Sequence, residues 1–137
     1  MRPLLIAFPL PLACLLAAAI AIPAAAAEPG TRKRSDRGVT VAVTPLSLSA
    51  TAKTWDFKVV LDTHSQDLGD DLVKSTVLLD DKGGRHLPVT WDGARPGGHH
   101  REGTLRFNAI SPKPAAIELQ IQRPGEAKAR SFRWNLE

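Results

Sequence analysis

Cysteine is nearly absent: the 137 residues hold one, Cys14. It lies in an apolar N-terminal stretch that reads as an export signal, so the processed chain would have no disulfide and no cysteine nucleophile. Stability must then come from burial alone. Also missing are an apolar repeat of helical period, a serine in a Gly-x-Ser-x-Gly setting and an acidic loop with EF-hand spacing. There is no internal repeat. An enzyme is therefore not expected, although His64 with a neighbouring aspartate has the parts of a general base.

What is present at the N-terminus is the pattern of a signal peptide over residues 1–27. Arg2 is a minimal positive region, residues 4–22 are an apolar run, and Ala25-Ala26-Ala27 supplies the small-x-small cleavage pattern before Glu28. A membrane anchor fits less well, because Pro9, Pro11 and Pro23 interrupt the run and the cleavage pattern follows directly. A lipoprotein signal also fits poorly: before Cys14, proline stands where leucine is wanted and leucine where a small residue is wanted. The expected destination is the periplasm or the exterior, with no transmembrane segment after processing.

The formal charge of +4 falls to +3 once Arg2 is removed. Residues 28–38 carry Arg32, Lys33, Arg34 and Arg37 against Glu28 and Asp36, which leaves about +1 for residues 39–137. Basic character thus belongs to signal and leader, and a nucleic-acid partner is not expected. The segment 28–38 reads as a flexible basic leader suited to touching an anionic surface.

From residue 39 the chain alternates with period two. Val39, Val41 and Val43 share a face, and the parity changes at Pro45, which predicts an edge strand with a bulge or a switch of sheet. Trp55, Phe57, Val59 and Leu61 form the inner row of a second strand, and a third spans about 72–80. After a short hairpin turn, Leu87, Val89 and Trp91 are expected to point inward on a fourth. Leu105 and Phe107, then Ile117, Leu119 and Ile121, then Phe132, Trp134 and Leu136 define three more. Seven short strands over about a hundred residues, without a Cys-Trp-Cys framework, predict an all-β, immunoglobulin-like sandwich nearer fibronectin type III, spanning 39–137.

The loop 91–103 carries the chemistry: two adjacent histidines, four glycines and a tryptophan. With strands alternating in direction, the connections 62–71, 92–103 and 123–128 fall at one pole, and His86 falls at the other. His64, His99 and His100, with Asp92 completing the shell, are the candidate ligands for copper or zinc. Adjacent histidines on a regular strand face opposite ways, but Gly97 and Gly98 allow the backbone to bend. The alternative is that these are solvated loop histidines and that the same pole recognises a protein partner of the cell envelope without metal. Asp67, Asp70 and Asp71 read as a hydrated loop, and Trp55, Trp91 and Trp134 as core, since each has the apolar parity of its strand.

Several segments carry a resemblance: Asp62-Thr63-His64-Ser65, Val77-Leu78-Leu79-Asp80-Asp81, Pro88-Val89-Thr90-Trp91-Asp92-Gly93, the run from Gly97-Gly98-His99-His100-Arg101 to Phe107, and Phe132-Arg133-Trp134. Together these resemble a group of small exported prokaryotic proteins of uncharacterised function. The resemblance spans most of 39–137 and implies no activity or cofactor. It implies only that the two histidine segments belong together.

Mass spectrometry of the exported protein should find a chain starting at or near Glu28. An acylated Cys14 as first residue would overturn that cleavage site.

Overall fold

Period-two apolarity builds two antiparallel sheets that face one another. The computed structural model describes residues 29–137, so the expected signal segment 1–27, with Cys14 and the cleavage site, lies outside the described residues. The elements are β1 (Arg32–Asp36), β2 (Val39–Ser47), β3 (Thr54–Thr63), α1 (Leu72–Ser75), β4 (Thr76–Asp80), β5 (Arg85–His86), β6 (Thr90–Gly93), β7 (His100–Asn108), β8 (Ala116–Ile121) and β9 (Arg130–Asn135). One sheet has the order β1-β2-β3-β7-β6 and the other β5-β4-β8-β9, an all-β sandwich. Among the described residues no helix is long and apolar enough to cross a membrane.

The inner rows interlock as the alternation requires. Val39, Val41 and Val43 of β2, Trp55, Phe57, Val59 and Leu61 of β3, and Leu105 and Phe107 of β7 are all buried. They face Leu78, Ile117, Leu119, Ile121, Phe132 and Trp134 from the second sheet. Phe57 joins the layers: its ring stands edge-on to Phe107 at 5.5 Å and lies 5.9 Å from Trp134. The parity change at Pro45 is a register shift between Pro45 and Ser47, where proline cannot donate to the ladder.

Four expectations need correction. Residues 32–36 of the expected leader form β1, paired with β2 from Arg32↔Val43 to Asp36↔Val39. The third strand begins only at Thr76, because the Asp71 carboxylate accepts from the Lys74 N–H and caps a helical turn before it. The fourth strand breaks at Pro88 into β5 and β6, which belong to different sheets, and Leu87 and Val89 are exposed instead of inward. The described residues thus contain nine strands where seven were expected.

Phe57→Ala and Trp134→Ala should each cost about 3–5 kcal/mol in denaturant unfolding, since each empties a buried aromatic site. The exposed Asn108→Ala should stay within about 0.5 kcal/mol of the parent. Equal melting of all three would show the core assignment to be wrong.

Candidate functional site

The three connections 62–71, 92–103 and 123–128 meet at one end of the sandwich. Thr63 starts the first of them with an ST turn: its hydroxyl donates to the Gly38 carbonyl at 2.8 Å and accepts the Ser65 and Gln66 N–H groups. The Thr63 N–H donates to the His99 carbonyl at 2.9 Å, Leu68 N–H to Gly98 at 3.2 Å, and Gly97 N–H to Leu68 at 2.9 Å. The Asp67 carboxylate takes the Gly98 N–H at 3.1 Å. The two histidine segments are therefore zipped together by backbone. Gly97 and Gly98, at φ 109° and 75°, supply the left-handed turn this requires.

Beneath the zip runs a row of buried ionic groups absent from the expected site. Arg101 is 1 % exposed and donates to the carbonyls of Leu68 at 3.1 Å, Asp70 at 2.8 Å and Ala94 at 3.4 Å. Its guanidinium lies 5.5 Å from the Trp91 ring, whose indole N–H also reaches the Ala94 carbonyl. Trp91 in turn lies on Gly93 and Gly103, where a Cβ on either would meet the backbone opposite within 2.7 Å. Asp70 forms a bidentate pair with Arg123 at 2.9 and 3.0 Å, and Glu126 bonds Arg130 at 2.5 and 3.0 Å and Arg123 at 3.5 Å. Burial lowers the Arg101 pKa, with Asp70 and Asp71 opposing that shift, while the Arg130 hydrogen bond lowers that of Glu126. Removing one member of such a buried pair costs about 3–5 kcal/mol, because the other is left charged and alone. The missed signal was parity: Arg101, Arg123 and Arg130 each continue the inward row of their strand.

The expected ligands do not gather. His100 opens β7 directly opposite Asp62, and its Nδ1 lies 2.5 Å from that carboxylate, with Nε2 3.5 Å from Glu102. His99 precedes the strand and is exposed, as is His64. Asp92 sits opposite Thr104, four residues along β7 from His100 and so roughly 13 Å away at strand rise. Among the described residues no three histidine, cysteine or acidic side chains are grouped to hold an ion. His86 pairs with Asp80 at 2.9 Å beside the β4–β5 turn, and that hydrogen bond lowers the Asp80 pKa. Asp67, Asp70 and Asp71, expected to form a hydrated loop, have separate partners: Asp67 the Gly98 N–H, Asp70 Arg123, and Asp71 the turn of α1.

Around His100 the outer face of the five-stranded sheet is a ladder of cross-strand ion pairs. Arg106 holds Asp56 at 2.8 and 3.0 Å, and Lys58 holds Glu102 at 2.6 Å. Such exposed pairs contribute little each to stability. The sequence matches no protein-family model, no curated protein and no solved structure.

The Asp62 hydrogen bond, opposed by desolvation and aided by Glu102, raises the His100 pKa above 6.5. The folded state binds this proton more tightly than the unfolded chain does. The stabilisation is thus complete below the unfolded value and lost as pH rises through the raised one. NMR titration should place His100 above the ordinary imidazole value and Asp62→Asn should bring it down. An unchanged midpoint in that variant would refute the pairing.

Proposed function

We propose that the chain is an exported, immunoglobulin-like binding module that recognises a protein partner and needs no metal to do so. The neighbour orders β2-β3-β7-β6 and β5-β4-β8-β9 support the architectural part, since they parallel the A-B-E-D sheet and the C-F-G sheet with a C′ strand of such domains.

The single observation that carries the functional part is an uncovered apolar step where the chain passes between sheets. Leu87 is 71 % and Val89 51 % exposed, on either side of a buried Pro88. Leu87 walls a groove of about 510 Å³ on the outer face of the four-stranded sheet, with Val77, Pro124 and Ala129 as further apolar surface and Lys74 and Arg85 beside them. A folded chain gains nothing by exposing a leucine beside a valine and a groove; a partner that covers them does. The groove also adjoins the histidine pole, through Asp71 and Pro124.

Two measurements test this reading. A photo-crosslinking residue at Leu87, introduced in the producing cells, should give a discrete protein adduct, and one at Thr104 on the ion-paired face should give none. Adducts at neither position, or equally at both, would refute recognition through this surface. Calorimetric titration of copper(II) and zinc should show only weak binding, indifferent to which histidine is replaced by alanine. Stoichiometric binding lost in His64→Ala, His99→Ala and His100→Ala but kept in His86→Ala would restore the metal site.

A further inference from the structure

We propose that β1 is a docking edge for an acidic, extended segment of a partner protein, which joins the five-stranded sheet as a sixth strand. This surface lies on the side of the sandwich away from Leu87 and Val89, since β1 and β6 are the two ends of their sheet. The two surfaces stand or fall separately.

The register shows which backbone groups are open. Arg37 and Gly38, at φ 48° and 76°, form the two-residue turn between β1 and β2. A turn of this kind makes its flanking residues, Asp36 and Val39, a hydrogen-bonded pair. Alternation then directs Arg34 toward β2, and the N–H and C=O groups of Lys33 and Ser35 toward the free edge. Among the described residues, no strand is hydrogen-bonded to that edge within the sheet, although β9 of the other sheet packs beside β1. The Arg34 side chain donates to the Lys33 carbonyl at 3.0 Å and Arg32 to the Arg133 carbonyl of β9 at 3.3 Å, while all five residues of β1 are exposed.

The edge is also held in place from behind. Arg130, 6 % exposed, donates to the carbonyls of Arg34 at 3.2 Å, Asp36 at 2.9 Å and Val39 at 2.7 Å. The Trp134 indole donates to the Gly30 carbonyl at 2.7 Å, and Arg37 to Gly125 at 2.9 Å. A strand anchored this way is ready to pair without first being ordered, which removes a main cost of strand addition.

Charge selects the occupant. Arg32, Lys33 and Arg34 are consecutive, Arg37 follows, and Asp36 is the one acid between them. Among the described residues none of these four cations has an ion pair, whereas Lys58, Arg106, Arg123 and Arg130 all do. A second copy of β1 laid alongside would set cation against cation, so the edge disfavours self-pairing. An acidic strand satisfies both the open backbone groups and the charge. Edge cations also protect a sheet from unwanted pairing, and the test separates that role from docking.

The probe is a seven-residue peptide alternating glutamate with valine or threonine, titrated into the exported protein. A control peptide of the same charge carries proline at its central positions, and vesicles of anionic phospholipid form a third arm. The alternating peptide should bind saturably, slow amide exchange at Lys33 and Ser35, and lose about tenfold or more in affinity with Lys33→Glu. The proline peptide should bind at least about tenfold more weakly, because it cannot form the ladder. A melting temperature for Lys33→Glu close to the parent's would confirm that the loss is one of docking. Equal binding of both peptides, unchanged exchange at Ser35, or binding to vesicles alone would each overturn the proposal.

Discussion

One buried row of charge holds this sandwich together at the end where its loops meet. Arg101, Asp70, Arg123, Glu126 and Arg130 come from four different parts of the chain and touch in sequence, with the arginine ends tied to backbone carbonyls. A protein expected to have no disulfide after export must fix its connections by other means. Guanidinium groups suit the task, because each presents five donors in a rigid fork and stays charged when buried. Each carbonyl that accepts from Arg101 or Arg130 is a loop or hairpin position that hydrophobic packing alone would leave free to slide.

The same row borders both of the docking surfaces proposed above. Arg130 anchors the β1–β2 hairpin from inside and so presents the open side of β1 outward. Arg123 and Asp70 hold the approach to α1, which with Pro124 borders the groove beside Leu87. The broad face between them is the ion-paired ladder around Lys58, Glu102, Asp62 and His100, where charges are matched within the chain. An ion-paired ladder thus lies between a basic strand edge and an apolar step.

His100 illustrates why a histidine-rich loop need not be a metal centre. Once β7 begins at His100, strand pleat points its ring to the outer face and the next residue, Arg101, into the interior. His99 lies before the strand and contributes its carbonyl, not its ring, to the contact with Thr63. The bend at Gly97 and Gly98 serves the backbone zip to Leu68, so the flexibility read as freedom for ligands is used to close the loop.

The all-β architecture, the inner rows of five strands, the register shift near Pro45 and the meeting of the two histidine segments were legible in the sequence. Each depends on local period-two patterning or turn chemistry, which a single chain displays residue by residue. The core positions Phe57 and Trp134 followed from parity alone, and the buried arginines continue the same inward rows although charge is ordinarily a mark of the surface. What only the tertiary structure decided are the matters that depend on which strands become neighbours. Residues 32–36 look like a solvated leader until β2 offers an edge to pair with and Arg130 reaches up from the other sheet. Leu87 and Val89 carry inward parity until Pro88 breaks the strand and the chain crosses between layers. His64, His99, His100 and Asp92 share a pole in the sequence, yet ligation depends on side-chain direction and separation to within a few ångströms. Those are set by long-range register, the Asp62↔His100 pairing above all, and no local pattern encodes it.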